Sequence, residues 1–306
     1  LLTELFGELI FGILGNGFIG LVNCIEWAKN GKVSSADLIL TGLAMSRIIQ
    51  LWVILLDLFI MGLFPHLYAT RNLTTVMTLL WTLTNHLTTW FATCLSIFYF
   101  LKIANFSHFF FIWLKWRVNR GVLGLFLGSF LLLPINLLMQ DTVSEWWMNT
   151  YGVSERNMTL HLDVNIILYL KIFLLSLTHV IPVLLSLISL LLLFLSLVRH
   201  TKNLQLNLTG RDSSTEAHRR AMKMVTSFLL LFTIYIISTL LATWSFMKVQ
   251  KYQVMMLFIV ISTIFPSGHS FILILGNSKL RQIAWRRLRR FQFFERNKTF
   301  SFIDII

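Results

Sequence analysis

The stretch VIPVLLSLISLLLLFLSLV, residues Val180–Val198, contains no charged residue. A helix of about 20 apolar residues is long enough to cross the roughly 30 Å hydrocarbon core of a bilayer. A strand of a membrane barrel would instead alternate apolar and polar residues over about ten positions. Because this run is continuous and rich in leucine, we expect a membrane-spanning helix here.

Similar runs recur along the whole chain of 306 residues, of which 56% are apolar and 13% are charged. Soluble domains carry about 25% charged residues, so the composition excludes a disordered chain and argues against a water-soluble enzyme. Hydropathy predicts an all-α bundle of seven transmembrane helices within residues 1–278, followed by a cytoplasmic amphipathic helix and tail over 279–306. The predicted helices cover about 6–28, 38–64, 74–101, 121–139, 166–198, 222–247 and 253–275.

The net charge of +13 comes from 26 Lys and Arg residues against 13 Asp and Glu residues. Such an excess indicates either a polyanionic partner or one marked face of the membrane. Twenty of the 26 positive residues follow the first, third and fifth predicted helices or lie in the tail. Positive residues near span ends stay on the cytoplasmic side, so we expect the N-terminus outside and the C-terminus in the cytoplasm.

This orientation places two glycosylation sequons outside, Asn157 in the middle of a loop and Asn72 closer to the membrane. The two cysteines, Cys24 and Cys94, lie in apolar runs of the first and third predicted helices. A buried thiol in such a run behaves as a small hydrophobic group. We therefore expect glycosylation at the two asparagines and no disulfide framework.

The third predicted helix carries polar residues at steps of three and four, which places them on one face. They are Thr78, Thr82, Asn85, Thr89, Thr93 and Ser96. This polar stripe either forms hydrogen bonds to neighbouring helices, the commoner use of Ser and Thr in membranes, or lines a ligand pocket. His86, Trp90 and Cys94 run beside it at intervals of four residues. Both interpretations remain open from the spacing alone.

Arg47 in the second predicted helix is the most costly charge inside a span, and such groups usually have partners. Asn16 in the first helix and the pair His269 and Ser270 in the seventh lie at depths where they could pair with it. The expectation is a structural network, with a conformational switch as the sharper hypothesis. Asp57, farther toward the outer end of the second helix, is a candidate for lining an open cavity.

The tail predicts an amphipathic helix, because its apolar residues share one helical face while most arginines lie on the others. The apolar positions are Leu280, Ile283, Ala284, Leu288, Phe291 and Phe294. We expect this helix to lie on the anionic inner leaflet. Nucleic acid is the alternative partner for an arginine cluster, but a position just after a membrane span favours lipid.

Enzyme chemistry has no support in the sequence. No H-E-x-x-H motif, paired-cysteine spacing, Gly-rich phosphate loop or G-x-S-x-G motif occurs. We predict no catalytic residue, no metal and no cofactor. A small-solute transporter is an alternative because of the intramembrane Arg47 and Asp57, but the internal repeats common in transporters are absent.

Six stretches, in order and at the expected helix ends, carry a family resemblance. They are LGNGFIGLVN at Leu14–Asn23, LAMSR at Leu43–Arg47, FATCLSIFYFLKIANFSHFFFIWLKWRV at Phe91–Val118, LFLSLVRH at Leu193–His200, GRDSSTEAHRRAMKMVTSFLLLF at Gly210–Phe232 and FPSGHSFILILGNSKLRQ at Phe265–Gln282. Over nearly its full length the chain resembles the type 2 taste receptors, the bitter taste receptor family of G protein-coupled receptors. It lacks the D-R-Y, C-W-x-P and N-P-x-x-Y motifs of ordinary rhodopsin-like receptors.

The resemblance implies an outer pocket for diverse, mostly apolar or amphipathic bitter compounds. The ligand contacts implied are Trp90, Cys94, Tyr235, Thr239, Ile259 and Ser262, with Asp57 and His86 as possible polar anchors. Ile259 stands where some members carry a glutamate, which weakens the case for amine ligands. Tyr235 would also occupy the switch position of the sixth helix.

The resemblance also implies a gustducin-type heterotrimeric G protein of the inhibitory class as partner, at the plasma membrane. On the cytoplasmic face, the residues expected to meet it are Tyr99, Lys102, His200 and Lys202. Tyr99 opens the segment that stands where D-R-Y would be, and His269 opens the one that replaces the motif of the seventh helix. Another chemosensory receptor, with a different ligand class and tissue, is the nearest alternative.

Overall fold

The computed structural model describes residues 2–31, 34–64, 71–104, 106, 108–138, 180–199, 222–224, 226–228, 230–239, 241, 252–287 and 289, and the regular structure within them is helical. The helices in chain order are α1 (Leu2–Asn30), α2 (Ser35–Leu63), α3 (Arg71–Ile103), α4 (Phe109–Trp116), α5 (Val118–Ser129), α6 (Val180–Arg199), α7 (Met222–Thr239), α8 (Tyr252–Gly276) and α9 (Ser278–Arg287). After α5, a short turn leads into further helix over 133–138. Val118–Leu138 is thereby long enough to act as one span.

Five segments of the described chain are long and apolar enough to cross a membrane, namely those in α1, α2, the Val118–Leu138 segment, α6 and α7. α8 meets the same test only together with α9, from which it is bent by 94°. α3 is absent from this set although it has 33 residues. Its polar side chains lower its hydropathy, and most of them are buried against other helices instead of facing lipid.

The helices pack in a chain of neighbours that places α3 inside the bundle. α1 packs against α2 and α8, α2 packs against α3, and α3 packs against α5. Glycines bring α1 and α8 close together, because a Cβ at Gly12 would overlap the hydroxyl of Ser267 and one at Gly15 would overlap that of Ser270. Small residues allow membrane helices to approach in this way.

α1 ends at a glycine in the left-handed region. Gly31 has a φ of +63°, which glycine adopts without the strain that a Cβ would cause. Its N–H donates to the carbonyl of Trp27 at 2.9 Å and closes the last turn. The chain can therefore reverse within a few residues and begin α2 at Ser35.

α4 is a helix that hydropathy did not predict between the third and fourth spans. Phe111 is buried there and its ring meets those of Phe100 and Phe106 edge-on, at 5.4 and 5.2 Å between centroids. Lys115 Nζ donates to the carbonyl of Ala104 at 3.0 Å. This aromatic cluster fixes α4 beneath the end of α3, while Trp116 is 87% exposed.

α9 packs against the bundle through the apolar face predicted for the tail. Leu280 is fully buried, and Ile283 and Ala284 contact the main apolar cluster. Trp285 and the neighbouring arginines are exposed. The 94° bend turns this apolar face onto the bundle, and the contact of the helix with the inner leaflet remains a prediction. The other three apolar positions of that prediction, beyond Arg287, lie outside the described residues.

Candidate functional site

The polar stripe of α3 joins this helix to α6 and α7. The hydroxyl of Tyr235 in α7 donates to Asn85 Oδ1. Thr93 Oγ1 lies 3.1 Å from the carbonyl of Pro182 in α6 and accepts from Ser186 Oγ at 2.9 Å. The four side chains that form these bonds, those of Asn85, Thr93, Ser186 and Tyr235, are buried, with at most 5% of their surface exposed. Hydrogen bonding between helices, one of the two uses expected of the stripe, is thus present.

The neighbouring residues His86, Trp90 and Cys94 lie toward α5. Cys94 Sγ is 3.8 Å from the carbonyl of Val122, and His86 Nε2 is 3.4 Å from Ser129 Oγ. The ring of Trp90 is 6.1 Å from that of His86 between centroids, and the side chain is only 3% exposed. Each of these residues follows a stripe residue by one position, a rotation of about 100° on a helix. That rotation is why one set meets α6 and α7 while the other meets α5.

Cys94 and Cys24 have opposite environments. Cys94 is buried, but Cys24 is exposed on the surface of α1. The sequence interpretation of both thiols as buried was therefore wrong for Cys24. An apolar run does not reveal which side of a helix faces away from the bundle.

A cluster of aromatic rings next to Tyr235 connects α7 with α8. The Phe265 ring lies 5.2 Å from that of Tyr235 and 5.4 Å from that of His269, between centroids. Phe228 meets His269 edge-on at 4.4 Å. Sequence reasoning did not select Phe228 or Phe265, since phenylalanine in an apolar run carries no signal that separates it from lipid-facing positions. Their burial beside Tyr235 places them in the same assembly as the predicted switch residue.

The helices bring the residues of the predicted Arg47 network together. Within the described residues, however, Arg47 forms none of the direct hydrogen bonds considered from the sequence. Asn16 Nδ2 donates to the carbonyls of Gly12 and Pro266 at 2.8 and 3.0 Å, and so joins α1 to α8. Ser270 Oγ donates to the carbonyl of Ser267, within its own helix. The Arg47 guanidinium lies over the ring of Phe265, with Cζ 4.8 Å from the centroid.

The remaining predicted ligand contacts lie farther toward the N-terminal end of α8 and the C-terminal ends of α2 and α7. Thr239 Oγ1 donates to the carbonyl of Tyr235 at 2.8 Å, and Asp57 and Ser262 are both half-buried. Ile259 lies in α8, but its side chain is outside the described part. In the same region Thr263 Oγ1 donates to Glu8 Oε2 at 2.9 Å, a contact between α8 and α1 that the sequence did not indicate.

At the opposite end of the bundle, helices α3, α6, α7 and α8 surround a cavity of about 20 Å³. Its lining residues are Leu95, Ser96, Tyr99, Leu190, Met224, Phe228, His269 and Leu273. Such a volume holds about one water molecule, so the side chains that line this cavity are closely packed. Lys102 is exposed, with Nζ 5.9 Å from the centre of the Phe98 ring.

Three of the predicted positions, His200, Lys202 and Asn157, lie outside the described residues. Asn72 is exposed in the first turn of α3, where a sequon asparagine is accessible. Glycosylation at either asparagine remains a prediction.

Lys279 ties the start of α9 to two other helices. Its Nζ pairs with Asp37 Oδ2 at 3.0 Å and with Glu26 Oε2. Burial opposes the charge on Lys279, but hydrogen bonds and attraction from the two carboxylates outweigh it and raise its pKa. The ammonium group therefore stays charged at neutral pH and holds α9 against the ends of α1 and α2.

Comparison with known proteins identifies the family. A profile described as taste receptor protein (TAS2R) matches residues 1–292. Taste receptor type 2 member 42 of Pan troglodytes is 54% identical over 286 residues, which is 92% of this chain and 90% of the relative. The Homo sapiens protein of the same name is 53% identical over 288 residues, with the same two coverages. Taste receptor type 2 member 9 of Macaca mulatta is 49% identical over 298 residues, covering 96% of this chain and 95% of the relative.

Among solved structures, squid rhodopsin matches with a TM-score of 0.52 at 14% identity, over 92% of this chain and 82% of that chain. At this identity the likeness concerns the fold alone, and it confirms the predicted seven-helix class. Profile and relatives together confirm the resemblance seen in the six sequence stretches. The chain therefore belongs to the bitter taste receptor family (TAS2R), as a multi-pass membrane receptor with the G protein-coupled receptor fold and not an enzyme.

Proposed function

We propose that this receptor binds bitter small molecules in a pocket of its outer half, among α2, α3, α6, α7 and α8. The observation that carries the proposal is the buried bond between Tyr235 and Asn85, which joins α7 to α3 at the level where the polar stripe faces the interior. A ligand above this bond would be in contact with two helices at once. Thr239, one turn farther along α7, would be among the first side chains it meets.

The same bond suggests how binding is converted into a signal. A ligand shifts a two-state equilibrium only if it binds one arrangement more tightly than the other. Side chains of α3, α6, α7 and α8 leave a cavity of only about 20 Å³ between them, and on this basis we assign the bundle to the resting arrangement. An agonist that competes for Tyr235 or Asn85 would weaken the contact between α3 and α7 and favour an arrangement open to a G protein.

The proposal places the N-terminus outside, the C-terminus in the cytoplasm and the receptor in the plasma membrane. Twenty of the 26 positive residues would then lie on the cytoplasmic side. Tyr99 and Lys102 at the end of α3, with His200 and Lys202, would face a gustducin-type G protein of the inhibitory class. The exposed Trp285 and arginines of α9 would contact the anionic inner leaflet.

A calcium assay tests the pocket and the coupling together. Cells that co-express the receptor with a gustducin-type α subunit are exposed to a broad panel of bitter compounds, and matched cells receive a stimulatory-class α subunit. We expect responses to some compounds with the first subunit and none with the second. Silence across the panel despite verified surface expression contradicts agonist binding, while equal responses with both subunits contradict the coupling class.

A pair of threonines in α7 locates the pocket. Thr239 is half-buried near Tyr235, whereas Thr233 is exposed on the same helix. Replacement of a hydroxyl that meets the agonist should cost about one hydrogen bond, 0.5–1.5 kcal/mol, or roughly 2- to 13-fold in potency. We expect this loss for T239V and not for T233V. Equal potencies of the two variants across several agonists would place the pocket elsewhere.

A further inference from the structure

Arg47 is a buried cation for which the described part of the chain provides no hydrogen-bond acceptor. Its side chain is 0% exposed, and none of its three guanidinium nitrogens has a hydrogen-bond partner there. The ring of Phe265 covers one face of the guanidinium, whereas the N–H groups point outward in its plane. A buried charge without a partner costs several kcal/mol, so this site calls for a compensating group.

None of the carboxylates of the described residues forms an ion pair with Arg47. Asp37 and Asp57 lie ten residues to either side of it in α2, about 15 Å along the helix axis. Glu8 accepts a hydrogen bond from Thr263, and Glu26 pairs with Lys279. The described helices therefore leave the positive charge of Arg47 without a countercharge.

Other buried polar atoms without partners lie on the same three helices, α1, α2 and α8. Besides Asn23 Oδ1 near the end of α1, they are Asn16 Oδ1, Gln50 Oε1, Ser267 Oγ and His269 Nδ1. Gln50 follows Arg47 by three residues and shares its face, and Asn16 Nδ2 reaches α8 at the carbonyl of Pro266, the residue before Ser267. Groups of buried polar atoms without protein partners are where ordered water or ions bind.

The chemistry of these groups selects a small monovalent anion. The guanidinium, the Ser267 hydroxyl and the His269 Nδ1 position in its N–H tautomer are hydrogen-bond donors. One positive charge neutralises one negative charge, which disfavours sulfate or phosphate in a medium of low dielectric. The close approach of α1 to α8, where a Cβ on Gly12 would overlap Ser267 Oγ, excludes a bulky organic anion.

We propose that Arg47 binds a chloride ion between α1, α2 and α8. The ion supplies the missing countercharge and accepts hydrogen bonds from the guanidinium and from Ser267. Water molecules beside it donate to the amide oxygens of Asn16 and Gln50. Because its contacts come from three helices, the ion stabilises their mutual arrangement, and this holds whichever agonist the receptor takes.

Thermal unfolding of the purified receptor in neutral-lipid nanodiscs tests this site. Sodium gluconate is replaced stepwise by sodium chloride or bromide at constant ionic strength. We expect a saturable rise of the midpoint with either halide and none with sulfate. At ten times the half-saturating concentration, the ratio of folded to unfolded receptor should increase about elevenfold.

Two variants separate this site from general salt effects. R47Q should lose the halide response, whereas R286Q, which removes an exposed cation of α9, should retain it. If R47Q does not fold, S267A keeps the guanidinium and should shift half-saturation to a several-fold higher halide concentration.

Anomalous scattering from bromide-soaked crystals shows the ion directly, and a peak beside Arg47 is expected. Identical midpoints in gluconate and chloride overturn the proposal, as does a halide response that persists unchanged in R47Q. A missing bromide peak at Arg47 does so too, since it would mean that water alone fills the site.

Discussion

The contact between α1 and α8 makes a quantitative prediction for Gly15. A Cβ at this position would overlap Ser270 Oγ and lie 3.2 Å from Ser270 Cβ and 3.4 Å from Phe271 Cε2. Ser270 is 0% exposed and its hydroxyl donates to the carbonyl of Ser267, so its hydroxyl has little freedom to turn away. G15A therefore forces α1 away from α8, and overpacking of this kind costs about 1–3 kcal/mol.

Gly17 is the matched control on the same helix, because a Cβ there would meet nothing within 4 Å. Both substitutions gain the same helix propensity, up to about 1 kcal/mol. The difference between G15A and G17A therefore isolates the cost of the overlap. We expect G17A to equal or exceed the wild type in stability and G15A to lie about 1–3 kcal/mol below G17A.

A thiol-reactive fluorogenic dye measures this difference during thermal unfolding in detergent. Cys94 is buried and becomes reactive on unfolding, whereas Cys24 is exposed and should be replaced by alanine in every variant. Addition of S270A to G15A removes the overlapping hydroxyl and leaves the Cβ at 3.2 Å, so the double variant should regain most of the loss. A midpoint for G15A at or above that of G17A, or no rescue by S270A, would refute the reasoning.

Four further predictions concern signalling and the inner face. Y235F removes the bond to Asn85, worth about 1 kcal/mol, so agonist-independent signalling per surface receptor should rise about fivefold; an unchanged or lower basal signal contradicts the resting assignment. K279Q should destabilise the receptor by up to about 1 kcal/mol. Because the pKa of Lys279 is raised, the difference in stability between wild type and K279Q should be complete below the ordinary lysine pKa of 10.5. It should vanish only as the pH rises above that value. A difference in stability that disappears near neutral pH would exclude the ion pairs as its cause. W90A should lower agonist potency with normal surface expression, whereas a loss of expression supports a packing role. R47A should alter basal or maximal signalling more than agonist affinity, and unchanged response curves would reduce Arg47 to a tolerated charge.

Residue spacing was a good guide to which side chains of α3 share a face, and a poor guide to what that face meets. The steps of four between Asn85, Thr89 and Thr93 predict a common stripe, and these side chains are indeed buried. His86 and Cys94 form a second stripe one residue later, and nothing in the spacing indicates that it meets α5. The rotation of a helix within a bundle depends on all of its neighbours.

For Arg47 too, the sequence identifies an important residue but not the contacts that it makes. The free-energy cost of a charge inside a membrane span marks Arg47 as important from the sequence alone. Its predicted depth in the membrane suggests Asn16 and His269 as partners. In the structure Asn16 donates to backbone carbonyls, while Arg47 lies over Phe265. Depth gives only the position of a residue along the membrane normal, whereas a hydrogen bond also requires both side chains to point at each other.

The sequence by itself determined the class of protein, the family and the periodic faces of the helices, because hydropathy and motif order depend on local composition and need no neighbours. Only the tertiary structure decided that Tyr235 meets Asn85, that α9 turns its apolar face back onto the bundle, and that the guanidinium of Arg47 has an aromatic ring for a neighbour. These contacts join residues far apart in the chain. They arise from the way whole helices fit against one another, which no local pattern of residues encodes.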